Sequence, residues 1–197
     1  MSMRTLLGLL ATGVALPALS APTHYTIDPE HTYPSFEAPH IQGISIWRGK
    51  LDKTSGTIVL DREAKTGQVD IVMDASSINF GHEKLNEHVK SADFFDVAKY
   101  PTMEFKSKKI EKQGDGYKMT GDLTMHGVTK EVTLNVDEPS SVITDPYGNL
   151  RRGFSASTTI NRKDWGMTYN NLLQTGEAVV GDNIKIQIDV ELVRKKS

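Results

Sequence analysis

Apolar and polar residues alternate with a period of two along most of the chain beyond residue 23. The longest run is 116–137, where Tyr117, Met119, Leu123 and Met125 alternate with polar residues. Val128, Val132, Leu134 and Val136 resume the pattern after His126-Gly127. Such alternation marks strands with one buried face. An X-Gly pair between two runs marks a two-residue hairpin, because glycine accepts the positive φ of a tight turn. That turn sets Met125 opposite Val128, Leu123 opposite Lys130, Gly121 opposite Val132, Met119 opposite Leu134 and Tyr117 opposite Val136. Nearly every apolar residue then shares one face, and a one-residue slip would scatter them. Asp122 falls opposite Glu131, an unfavourable like-charge pair.

The same alternation predicts strands at 24–28, 56–60, 68–75, 102–110, 153–160 and 184–192. Inward positions include Val69, Ile71 and Met73, then Met103 and Phe105, then Phe154, Ala156 and Ile160. The last strand is the clearest, with Ile184, Ile186, Ile188, Val190 and Leu192 on one side. A further strand is expected at 41–51, carrying Ile44, Ile46, Trp47 and Leu51, with a kink at Gly49. Pro29, Pro34 and Pro39 predict a sheet edge or an irregular path, since proline donates nothing to a ladder. One stretch breaks the pattern. In HEKLNEHVKSADFF, Leu85, His88, Val89 and Ala92 recur at helical spacing, so a helix is expected before Tyr100-Pro101. Residues 138–149 read as a loop, and 161–181 carry no clear period. Eight to ten strands with one helical insert imply a closed antiparallel barrel or a sandwich, and long strands favour the barrel. Eight strands enclose room for side chains or for one small ligand, and the pattern leaves both readings open.

Composition narrows the function. The chain has 197 residues with 23 basic and 25 acidic side chains, one domain with no long-range pull toward nucleic acid. Arg4 followed by an apolar run over 5–16, Pro17 and Ala18-Leu19-Ser20 predicts a cleaved signal peptide at 1–20, with Ala21 as the alternative cut. The run is too short to span a bilayer. The product expected is a soluble periplasmic domain covering 21–197. Cysteine is absent, which excludes disulfides, thiol catalysis and lipoprotein acylation.

Catalytic and metal motifs are weak. His82-Glu83 lacks the second zinc histidine, because Asn86 stands four positions on. His82 and His88 lie about 240° apart around a helix. His31 and His40 are nine residues apart with nothing in the sequence to join them. No G-x-S-x-G elbow occurs. Two features remain. Met73, Met103, Met119 and Met125 all face inward, which suits either an adaptable apolar cavity or ordinary core packing. Arg48, Arg151, Arg152, Arg162 and Lys163 offer a basic rim for an anionic head group or plain solvated charge.

The segments KSADFFDVAKYPTMEFKSKKI, GDLTMHGVTKEVTL and VGDNIKIQIDVEL closely resemble the YceI-like family of exported bacterial proteins. So do the opening Ile27, Asp28, His31, Phe36 and His40, and the later NRKDWGM with Arg162, Asp164, Trp165 and Gly166. The resemblance covers 24–192. It implies an all-β fold, an extended eight-stranded antiparallel lipocalin-like barrel with a short helical insert. It implies a carrier that holds a long isoprenoid chain, a polyprenyl diphosphate or quinone-type lipid, or another long-chain amphiphile, in an apolar interior. The tail is then expected against Phe36, Val69, Ile71, Met73, Met103, Phe105, Tyr117, Met119 and Leu123. It is also expected against Met125, Val132, Leu134, Phe154, Ile160, Trp165, Ile184, Ile186 and Ile188. Head-group rim candidates are His31, His40, Arg48, Arg151, Arg152 and Arg162. Burying a tail of about eight isoprene units at ~25 cal/mol/Å² outweighs a few kcal/mol of immobilisation. No cofactor, metal or catalytic residue is implied, and a homodimer through apolar rims fits an open-ended barrel. Two rival readings stand beside this one: an enzyme acting on such a lipid through His31, His40 or His82, and a barrel packed solid.

Overall fold

The central hairpin forms in the register that the alternation predicts, from Met125–Val128 at the turn to Tyr117–Val136 at the far end. His126 and Gly127 have φ of 50° and 73°, the paired positive values of a turn whose twist matches the strands. The structure is a computed structural model, and the residues described are 21–61 and 66–194. The expected signal peptide at 1–20 lies outside them.

In chain order the strands are β1 (Thr23–Ile27), β2 (Tyr33–His40), β3 (Ser45–Leu51), β4 (Thr54–Asp61), β5 (Thr66–Asp74) and β6 (Ile78–Asn79). Then follow helix α1 (Glu83–Lys90) and strands β7 (Thr102–Gln113), β8 (Gly116–Met125), β9 (Val128–Val136), β10 (Ile143–Thr144), β11 (Leu150–Asn161) and β12 (Asn183–Arg194). The ring β1–β4–β5–β7–β8–β9–β11–β12 closes on itself through antiparallel pairs, giving an eight-stranded barrel. β2, β3 and β6 prolong β1, β4 and β5 in turn, so three wall positions are long strands broken once.

The first break is bridged by a side chain. Thr32 is 1% exposed, and its hydroxyl accepts from the Glu191 N–H at 3.1 Å and donates to the Glu191 carbonyl at 3.3 Å. β2 is not the edge that its prolines predict, since it pairs with β12 on one side and β3 on the other. Each proline sits where one ladder stops. Pro34 precedes the first β3 pair, Ser35–Lys50, and Pro39 follows the last β12 pair, Glu37–Lys185. The missing N–H therefore interrupts nothing.

Two further expectations are corrected. Ile44 is 83% exposed in the turn before β3, and Ile46 points outward. Gly49 marks no kink but a seat: a Cβ there would stand 2.6 Å from the Phe36 ring and 3.0 Å from the Phe80 ring. The acidic pair Asp122–Glu131 is resolved by a bulge between Ser107 and Lys109. The extra residue, Lys108, places its ammonium 2.6 Å from Asp122 and 3.3 Å from Glu131. Two seams are short: β1 and β12 share Thr26–Val193 and Ile27–Leu192, and β9 and β11 share Ala156–Val136 and Ser157–Asn135, with the 3-10 turn Arg162–Trp165 packed against β9 beside the second.

Candidate functional site

The inward faces of these strands do not meet across the whole barrel. They enclose an apolar cavity of about 390 Å³. Phe36, Val69, Ile71, Met73, Met103, Phe105, Met119 and Leu123 line it. So do Met125, Val132, Leu134, Phe154, Ile160, Ile184, Ile186 and Ile188. The interior is thus hollow, within the ~300–1,000 Å³ of ordinary ligand pockets. Along β12, Ile184, Ile186 and Ile188 stay half-buried because the cavity leaves space on their inner side.

The two ends of the barrel differ. At the end where β1 and β8 begin, Tyr25, Ile58, Val136 and Leu192 are 3%, 2%, 8% and 1% exposed, and none touches the cavity. They form a packed floor. At the other end the wall continues into α1 and the segment after β11, through His40, Trp47, His88, Phe94, Tyr169 and Asn171. This end is the mouth. α1 forms there because the His82 ring accepts from the Leu85 N–H at 3.3 Å and caps the first turn, while Val89 is buried below. Edge-on rings stack around it: His88 lies 5.0 Å from Tyr169 and 5.2 Å from Phe94, and His40 lies 5.7 Å from Trp47.

Two expected tail contacts lie elsewhere. Tyr117 sits at the floor, directly opposite Val136, with the Lys112 ammonium 4.5 Å over its ring. Trp165 is 2% exposed and donates its indole N–H to the Leu123 carbonyl at 3.1 Å, locking the end of β8. Its own carbonyl accepts from His126 at 2.9 Å.

The basic rim does not assemble. Arg48 points outward and pairs with Glu37 at 2.9 Å. Arg152, half-buried opposite Leu192 and outside the cavity lining, donates to the carbonyls of Pro139 and Ser140. Arg151 bridges Asp28, Asp145 and Glu191, away from the mouth. Burial opposes the charge on Asp28, but hydrogen bonds from Arg151, His31 and the Glu30 N–H outweigh it and hold its pKa at about 2. Arg151 likewise draws Asp145 down to about 2. His31 is held above its usual value by Asp28, 3.0 Å away, and belongs to this outer cluster. His31 and His40 therefore share no site. Asp28, His31 and Glu191 are close enough to hold a metal ion, but the Arg151 guanidinium already bridges both carboxylates.

Of the six rim candidates, His40 and Arg162 do line the cavity. Arg162 is 3% exposed, and all five of its N–H groups are engaged. They reach the carbonyls of Met167 (2.7 Å), Tyr169 (2.8 Å), Gly181 (3.1 Å) and Val180 (3.4 Å), and the Asp182 carboxylate (3.2 Å). Burial pulls its pKa down against the neighbouring Asp182. Arg162 is a clamp that shapes the mouth and has no donor left for a head group.

A YceI-like domain model matches residues 25–192. The chain belongs to the YceI-like family. A UPF0312 protein of Pectobacterium atrosepticum is 34% identical over 98% of each chain. The solved YceI protein of Campylobacter jejuni is 31% identical, with a TM-score of 0.66 over 78% of this chain and 88% of that one. A polyisoprenoid binding domain from Saccharophagus degradans has a TM-score of 0.62 at 16% identity, over 85% of this chain and 97% of that one, a likeness of fold.

Much of this YceI-like mouth is absent from the residues that alternation singles out. Phe80, Leu85, His88, Val89, Phe94, Phe95, Met167, Tyr169, Val179 and Val180 all line the cavity. The Leu85, His88 and Val89 stripe was the available signal, since an amphipathic helix in a barrel protein needs an apolar surface to cover. For Tyr169 and Val180 the signal is missing, because they lie in irregular backbone folded around Arg162.

Proposed function

We propose that this YceI-like barrel is a binding protein for the apolar tail of an isoprenoid-type lipid, exported to the periplasm by residues 1–20 and folding as one domain over 21–197. The observation that carries the reading is one cavity with an apolar wall, a packed floor and a ring-lined mouth. The shared fold of the polyisoprenoid binding domain supports the ligand class. Burying about ten carbons at ~0.8 kcal/mol each yields roughly 8 kcal/mol, comparable to the cost of association.

The wall favours retention over turnover. Among the described residues no carboxylate, lysine or cysteine lines it, and the partner of His88, Asp93 at 3.0 Å, is exposed outside the wall. Arg162, the one cation in the wall among the described residues, is fully engaged, which favours a weakly polar quinone-type head group over a diphosphate.

The test is native mass spectrometry of the protein purified from its own host, followed by organic extraction and lipid identification. A stoichiometric isoprenoid is expected. An empty protein that takes up neither quinones nor prenyl diphosphates refutes the reading. Ile186→Asp places a carboxylate in the half-buried inner wall of β12, so a folded variant should lose the lipid.

A further inference from the structure

The cavity ends one inward position short of the floor end on several strands. On β12 it reaches Val190 but not Leu192, on β9 Leu134 but not Val136, and on β1 Ile27 but not Tyr25. Below that level the side chains are buried: Ile58 stands directly opposite Tyr25, and Leu192 stands opposite Ile27 at the cavity's edge. From Ile184 to Val190 the wall runs about 20 Å along the strand, or roughly 15 Å along a barrel axis tilted by ~40°.

Volume sets the same bound. An apolar cavity of about 150 Å³ takes one six-carbon ring, so about 390 Å³ takes roughly sixteen carbons. That is three five-carbon isoprene units. A tail of about eight units would need roughly 1,000 Å³ on the same scale.

We infer that the floor formed by Tyr25, Ile58, Val136 and Leu192 is a length ruler, and that this barrel buries about three units of an isoprenoid tail and no more. This rests on the binding reading above. A shorter tail leaves part of the wall uncovered. A longer one holds its surplus in water beyond the mouth, where it adds no affinity.

The test is a titration of the delipidated protein with isoprenoid alcohols of two, three, four and eight units, presented below their aggregation limits. Each carbon that enters the wall should tighten binding about fourfold, the ratio that ~0.8 kcal/mol per methylene gives. Tightening should therefore be steep from two units to three and flat from three to eight. Removing six floor carbons in Ile58→Ala/Leu192→Ala should move the plateau to four units. Because that pair is deep in the core, a cavity-filling variant gives the converse reading. Ala156 is 5% exposed and lines the cavity opposite Val136, so Ala156→Leu should weaken the three-unit probe at least tenfold and the two-unit probe less than twofold. Affinity that keeps rising through eight units, or an unchanged plateau in Ala156→Leu, overturns the ruler and leaves tail binding intact. No binding at any length overturns both.

Discussion

Replacing Arg162 tests how the mouth is held together. Arg162→Met keeps an unbranched apolar stem but removes five N–H donors from a site 3% exposed. The carbonyls of Met167 and Tyr169, at 2.7 and 2.8 Å, lose their shared donor, and that of Gly181 loses one at 3.1 Å. Hydrogen bonds to a charged group are worth roughly 1.5–3 kcal/mol each, and breaking a buried pair costs about 3–5 kcal/mol. The losses are not additive, because the loosened segment rehydrates and Asp182 keeps Lys163 at 2.8 Å. The expected destabilisation is about 3–5 kcal/mol, a large share of a typical domain's total. With a urea slope of about 2 kcal/mol/M, the midpoint should fall by roughly 2 M. Arg162→Lys should fall between, since one ammonium offers three donors from a single point and does not span carbonyls arranged around a planar fork. Equilibrium urea unfolding followed by far-UV circular dichroism measures both. A midpoint shift below about 0.5 M for Arg162→Met would refute the clamp.

Other perturbations follow from the same contacts. Gly49→Ala places a Cβ 2.6 Å from the Phe36 ring, so it should cost about 1–3 kcal/mol of overpacking, read by thermal unfolding, and should disturb the Phe36–Phe80 edge of the cavity. Asp28 and Asp145 have folded pKa values of about 2, below their ordinary 3.8, so their stabilisation is complete above about pH 4 and fades as pH falls toward 2. Urea midpoints measured across that window should drop, and Arg151→Met should flatten the drop because both carboxylates lose their main partner. His31 works in the opposite sense: its raised pKa stabilises below 6.5 and the contribution fades as pH rises through the folded value, so His31→Ala should change the slope above pH 6.5.

The barrel wall was legible in the alternation because a period of two is enforced residue by residue wherever one face is dry. Met119, Leu123 and Leu134 fell inward for that reason alone, and the register of the hairpin followed from its turn. The rim was not legible. Arg48 and Arg151 look identical as letters, yet one is an exposed partner of Glu37 and the other bridges three carboxylates. Side-chain charge says nothing of which partners the fold delivers. Arg162 shows the same limit more sharply: its role rests on carbonyls five to nineteen residues away, in backbone with no periodic signal.

By itself, the sequence determined the strands, their dry faces, the hairpin register and the position of the one helix, since each depends on local spacing that backbone geometry translates directly. Only the tertiary structure decided that the barrel is hollow to a fixed depth. Whether Tyr25, Ile58, Val136 and Leu192 meet to form a floor, while Ile184 and Ile186 face open space, depends on strand tilt and on which side chains from distant strands reach one another. That sum of volumes across the barrel has no signature along the chain.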